Sequence, residues 1–194
     1  MPMSENPLQV PPRPTSLLHT LLRDVIREGD TVVDATAGNG YDTVFLADCV
    51  GDHGKVLAFD IQEAAILSAS ARVDEAGFTE RVVFLHESHS HLPDHLFPQS
   101  ASAIVFNLGY LPGADHDATT TVHETLDALA KSLPVLKFGG ILAVVCYPGH
   151  SAGAVEAAAV EQWMASLTSS KWRVAKYAAL GTLRPAPFLL MACR

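Results

Sequence analysis

Two glycines set two residues apart, between an apolar run and an amphipathic one, mark where this chain can hold a ligand. They lie in Asp34-Ala35-Thr36-Ala37-Gly38-Asn39-Gly40-Tyr41-Asp42-Thr43, after Thr31-Val32-Val33 and before Val44-Phe45-Leu46-Ala47. Glycine lets a backbone come close to a bound group where a Cβ would collide. A helix starting there presents N–H groups that have no partner inside the helix. Asp60 ends the next apolar run, Val56-Leu57-Ala58-Phe59. An acid about 20 residues past such a loop can accept both hydroxyls of a ribose. The pattern predicts a nucleoside-bearing cofactor.

The loop lacks the third glycine of G-x-G-x-x-G, which disfavours an NAD-dependent oxidoreductase, and the chain has no G-x-x-x-x-G-K-[ST]. It therefore suits a nucleoside without a pyrophosphate, of which S-adenosylmethionine is one. His86, His89, His91 and His95 crowd together after the third apolar run. No cysteine is near them, so the cluster reads as a solvated loop, and no metal site is expected.

These residues need elements to carry them. Apolar positions from Leu17 to Ile26 recur at helical spacing, so residues 15–28 read as a helix capped by Thr15 or Ser16 and ended by Gly29. Strands are expected over 31–36, 55–60, 82–85, 103–106 and 141–145. Helices are expected over 41–50, 62–76, 120–137 and 153–168, with Pro134 kinking or ending the third of these. Gly139-Gly140 reads as the turn into the fifth strand. Trp172 to Tyr177 and Phe188 to Cys193 read as two last strands with no helix between them, hence antiparallel neighbours. Alternating strands and helices with near-continuous apolar strands predict an α/β fold: a mostly parallel sheet with helices on both faces.

The 194 residues fit one domain, read as 15–194 behind a proline-rich flexible arm, 1–14. The N-terminus lacks the basic and apolar regions of a secretory signal, and no apolar run is long enough to cross a membrane. The three cysteines, Cys49, Cys146 and Cys193, are scattered, as in a cytoplasmic protein. A net charge of −8 weighs against an extensive electrostatic grip on nucleic acid, but not against a small local RNA contact.

Four blocks carry a resemblance. They are the Asp34-to-Thr43 loop, Phe59-Asp60-Ile61-Gln62, Phe106-Asn107-Leu108-Gly109-Tyr110-Leu111-Pro112-Gly113-Ala114-Asp115-His116 and Tyr147-Pro148-Gly149-His150. In this order they resemble the rRNA methylase family of class I S-adenosylmethionine-dependent methyltransferases, from about residue 16 to the C-terminus. Pro148 stands where that family more often has His. The resemblance implies a Rossmann-like, seven-stranded sheet whose last strand is antiparallel. Characterised members of the family methylate the 5-aminomethyl group of the wobble 2-thiouridine of tRNA. It implies cofactor contacts from Asp34, Thr36, Ala37, Gly38, Asn39, Gly40, Asp42, Thr43, Asp60, Ile61, Gln62, Ser88, His89 and Asn107.

The acceptor side is expected at the carboxyl ends of the fourth and fifth strands. There Asn107 can accept a bond from the substrate amine, and Tyr110 can stack on a flipped-out base. Tyr147, His150 and Asp115 complete the catalytic set, with His150 or Asp115 able to take a proton. A methyltransferase acting on rRNA or a small molecule stays open, as does a non-catalytic nucleoside-binding regulatory domain. A homodimer is compatible with all of these readings.

Overall fold

The computed structural model describes residues 11–109 and 121–194. Its elements in chain order are α1 (Pro14–Val25), β1 (Thr31–Asp34), α2 (Tyr41–Val50), β2 (Lys55–Asp60), α3 (Glu63–Glu75), β3 (Val82–His86), β4 (Ala101–Leu108), α4 (Val122–Val135), β5 (Leu136–Cys146), α5 (Ser151–Ser166), β6 (Arg173–Ala178) and β7 (Phe188–Cys193). A 3-10 helix, His89–His95, follows β3.

The strands form one sheet in the order β3-β2-β1-β4-β5-β7-β6. Neighbours from β3 to β5 are parallel, and β7 runs antiparallel to both β5 and β6. This is the Rossmann-like sheet expected from the sequence. The order reverses between β1 and β4, and ligands of open α/β sheets sit at that point, beyond the carboxyl ends of the strands.

Alternate residues of the central strands face opposite sides. Val33, Ile104, Phe106, Leu142 and Val144 pack with Leu129, Ala157 and Val160 of α4 and α5. Val32, Val105, Ala143 and Val145 pack with Leu18 and Leu22 of α1 and Leu46 of α2. Each such fully buried large side chain contributes roughly 1.5–3 kcal/mol.

Three expectations are corrected. First, α1 begins one residue earlier and ends at Val25, with Arg13 at the N-cap and no side-chain cap. Pro14 suits the first helical turn, where its missing N–H costs nothing. Beyond the helix, Asp30 accepts from the Arg27 N–H at 2.8 Å, and the Asp30 N–H bonds the Arg27 carbonyl. The 27–30 segment is thereby a turn, and Gly29, at φ +85, lies within it. Second, β5 starts at Leu136, directly after α4, so Gly139-Gly140 lies inside the strand. Gly139 takes φ +80 and the β4–β5 register shifts there, which is a bulge rather than a preceding turn. Third, the histidine cluster is not all solvated: His89 is only 4% exposed.

Candidate active site

β1 delivers Asp34 to the carboxyl edge of the sheet, where it is fully buried. Its Oδ2 accepts from the Thr43 hydroxyl at 2.6 Å and its Oδ1 from the Thr36 N–H at 3.2 Å. Burial, then the Asp42 charge, pushes the Asp34 carboxyl up to about 7, with Asp60 adding to the rise and the Thr43 and Thr36 bonds opposing it. Asp34 and Thr43 thus brace the loop from beneath and do not line the cleft.

Gly38 and Gly40 both take left-handed φ, +52 and +79. The Gly38 N–H donates to Asp60 Oδ2 at 2.9 Å, while Asp60 Oδ1 accepts from the Gln62 N–H at 2.9 Å. From α3, Ser68 donates to Asn39 Oδ1 at 3.2 Å and Arg72 Nε to the Asn39 carbonyl at 2.6 Å. The loop is therefore shaped by side chains from β2, α2 and α3.

The donor set fits an adenosyl sulfonium. Each Asp60 oxygen spends one lone pair on a backbone N–H and keeps another for a ribose hydroxyl. Asp34, Asp42 and Asp60 lie close enough for mutual repulsion to act on Asp34, and such a concentration of acid suits a cationic ligand. Asp60→Ala is expected to weaken S-adenosylmethionine binding about tenfold or more, since a hydrogen bond to a charged group contributes roughly 1.5–3 kcal/mol. Isothermal calorimetry giving an unchanged Kd would sink the ribose assignment.

β4 delivers the second constellation. The Asn107 N–H donates to Thr36 Oγ1 at 2.7 Å, tying the end of β4 to the glycine loop. The Asn107 side-chain Nδ2 donates to Asp42 Oδ2 at 2.9 Å, and His19 Nε2 of α1 contacts Asp42 Oδ1 at 2.6 Å. The His19 ring stacks on Phe45 at 3.8 Å between centroids. The bond to Asp42 orients the Asn107 amide, and its Oδ1 is buried without a hydrogen-bond partner among the described residues. Tyr147, at the end of β5, sits beside this amide. Burial above all, helped by Asp42, pushes its hydroxyl pKa up, and Asn107 opposes the rise. A Cβ at Gly109 would come within 3.1 Å of the Tyr147 ring, so the corner after β4 packs on that ring.

These groups open on one cleft of about 1090 Å³. Thr36, Ala37, Gly38, Asn39, Asp42, Asp60, Ile61, Gln62, His89, Asn107, Tyr147 and His150 all line it, together with Glu87, Glu156, Pro185 and Pro187. Gly40 does not line it but packs on Ala69. Nor does Ser88, whose hydroxyl accepts from the Ser90 N–H and caps the 3-10 helix. Tyr110 and Asp115 lie outside the described residues.

His89 Nδ1 bonds the Ala35 carbonyl at 3.1 Å, so Nδ1 carries the proton and Nε2 is an acceptor, again buried without a described partner. Burial depresses its basicity, and the Ala35 bond opposes this. His150 is the N-cap of α5: Nδ1 accepts from the Gly153 N–H at 2.9 Å, which puts the proton of the neutral ring on Nε2. A Cβ at Gly153 would strike that ring, which explains the glycine there.

Two side chains of the site escape a reading of the sequence. His19 has no chemically suggestive neighbour along its helix, and no spacing marks it. Glu156 left a faint signal, as the one acid in the apolar segment Ala152-Gly153-Ala154-Val155-Glu156-Ala157-Ala158-Ala159-Val160 just past β5.

Residues 56–193 match the model of a protein family described as "Putative rRNA methylase". A second model, protein-L-isoaspartate(D-aspartate) O-methyltransferase, matches residues 2–91. The chain is 39% identical over 187 residues to the chloroplastic tRNA (mnm(5)s(2)U34)-methyltransferase of Arabidopsis thaliana, covering 91% of this chain and 67% of that one. Among solved structures, a protein from Clostridium thermocellum described as "putative rRNA-methylase" superposes with a TM-score of 0.89 at 34% identity, over 93% of this chain and 96% of that one. A Streptococcus mutans protein described as "a putative methyltransferase", in complex with SAH, superposes with a TM-score of 0.83 at 33% identity, over 93% of this chain and 97% of that one.

Proposed function

Because the chain belongs to the rRNA methylase family of S-adenosylmethionine-dependent methyltransferases, we propose that it methylates RNA, and specifically the primary amine on C5 of the wobble 2-thiouridine of tRNA. Residues 15–194 are read as the catalytic domain behind the 1–14 arm, working in the cytoplasm. The observation that carries the reading is Asn107 Oδ1, a buried acceptor in the cleft lining whose amide is held at its other end by the bond to Asp42. An N–H of a substrate amine is the group such an acceptor fits.

In this reading the cofactor supplies an activated methyl group, and the chain supplies position. Asp60 and the glycine loop hold the nucleoside and fix where the methyl points. Asn107 takes one N–H of the amine and sets its nitrogen in line with the bond to be broken. Tyr147, packed under Gly109, walls the acceptor side. Placing two reactants in line in this way supplies a large share of the rate of a displacement.

The test is direct. The protein is incubated with S-adenosylmethionine and tRNA bearing 5-aminomethyl-2-thiouridine, and the digested nucleosides are weighed by mass spectrometry. The expected result is one added methyl group on that nucleoside and on no other. An unaltered 5-aminomethyl-2-thiouridine overturns the proposal.

A further inference from the structure

An alkylamine at neutral pH is mostly an ammonium, and an ammonium has no lone pair with which to take a methyl group. Methylation of an amine in this cleft therefore requires a proton acceptor there, and the identity of that acceptor rests on the amine reading of the function.

Four carboxyl groups among the described residues line the cleft: Asp42, Asp60, Glu87 and Glu156. Three of them have both oxygens engaged. Asp60 accepts two backbone N–H groups. Asp42 is held by His19 and Asn107. Glu87 bonds His91 on one oxygen and His95 on the other. Glu156 differs. Its Oε1 accepts from the Thr125 hydroxyl at 2.7 Å, which fixes the group between α4 and α5, and no hydrogen bond reaches Oε2 among the described residues.

We infer that Glu156 is the catalytic proton acceptor for the substrate ammonium. His150 has its Nδ1 occupied by the cap bond to Gly153. Glu156 has an oxygen to offer and stands on the same wall.

The chemistry balances. Glu156 Oε2 takes one proton from the ammonium, and the nitrogen lone pair so freed forms the new N–C bond. The electrons of the broken C–S bond return to sulfur, which becomes a neutral thioether. The methylated amine leaves as a cation, and Glu156 returns its proton to solvent.

The setting of the group agrees with the role. Burial raises the Glu156 pKa, and the Thr125 bond and the electrostatic influence of the nearby His150 pull it back. The titratable groups that meet it are His150 from the loop before α5 and the Cys146 thiol at the end of β5, itself pushed up to about 12, chiefly by its own burial. A base whose pKa moves toward the working pH is a better proton acceptor.

The experiment measures single-turnover methyl transfer to tRNA bearing 5-aminomethyl-2-thiouridine, from mildly acid to alkaline pH, for the wild type, E156Q and E156D. S-Adenosylmethionine affinity is followed by calorimetry. E156Q is expected to lose about 10²-fold in rate at neutral pH, the lower range for a positioned base. The gap should close at alkaline pH, where the amine is already neutral, with cofactor affinity unchanged. E156D should keep a wild-type-shaped profile at a reduced rate, its acid limb displaced.

A constant ratio of E156Q to wild type at every pH, or no loss at all, overturns the assignment. If E156Q loses the cofactor, E156D decides: an acid limb identical to that of the wild type overturns it. A wild type inert on this tRNA condemns the amine reading and this inference with it, whereas an active wild type with an undiminished E156Q condemns only Glu156.

Discussion

Replacing Asn107 with alanine is expected to lower methyl transfer about 10³-fold, the upper range for removing one preorganised polar contact to a reacting group. The substitution deletes the acceptor Oδ1 and the donor to Asp42 together. It spares the backbone N–H that holds Thr36, so the glycine loop keeps its shape. The loss should therefore fall on turnover, with S-adenosylmethionine affinity changed by less than about threefold, well under 1 kcal/mol. Single-turnover rates with calorimetry in parallel check this. Equal turnover by the variant would refute a role for the amide in the reaction.

Gly40→Ala should act on the fold itself. Gly40 takes φ +79, and a Cβ there would lie 2.7 Å from the Ala69 Cα, a backbone atom that cannot swing aside. A left-handed φ costs a non-glycine residue roughly 1–2 kcal/mol. Overpacking against a rigid neighbour adds about 1–3 kcal/mol. A destabilisation of about 3–4 kcal/mol is expected, read as a lower midpoint in urea at unchanged slope. Because α3 must move to make room, and α3 carries Ser68 and Arg72 on Asn39, cofactor affinity should fall as well. A variant as stable as the wild type would show that α2 and α3 part easily.

The glycine loop is readable in the sequence because its demands are local. A backbone that must turn left-handed twice calls for glycine twice, at Gly38 and Gly40. Strand and helix order is readable for a similar reason, since apolar runs in a doubly covered sheet have few other uses. Asn107 is legible only through the block around it. The rest depends on distance in space. His19 reaches Asp42 from a helix 23 residues away in the chain. Glu156 becomes notable only when the other three carboxyl groups of the cleft are seen to be occupied. His89 looks like one of four solvated histidines because their spacing is polar and irregular, yet a 3-10 helix turns it beneath Ala35 while His91 and His95 turn to Glu87. The Gly139-Gly140 pair misleads in the opposite sense, because the same left-handed freedom that serves a turn also serves a bulge.

Asp42 and Asp60 line one side of the cleft, with Asp34 buried beneath and near enough for the other two to raise its proton affinity. A bound sulfonium donor would bring them a positive charge, and the thioether left after methyl transfer would bring none. The cluster thus loses its counter-charge at the moment the methyl group departs. On electrostatic grounds alone, the neutral product gains less from the acids than the cationic donor does.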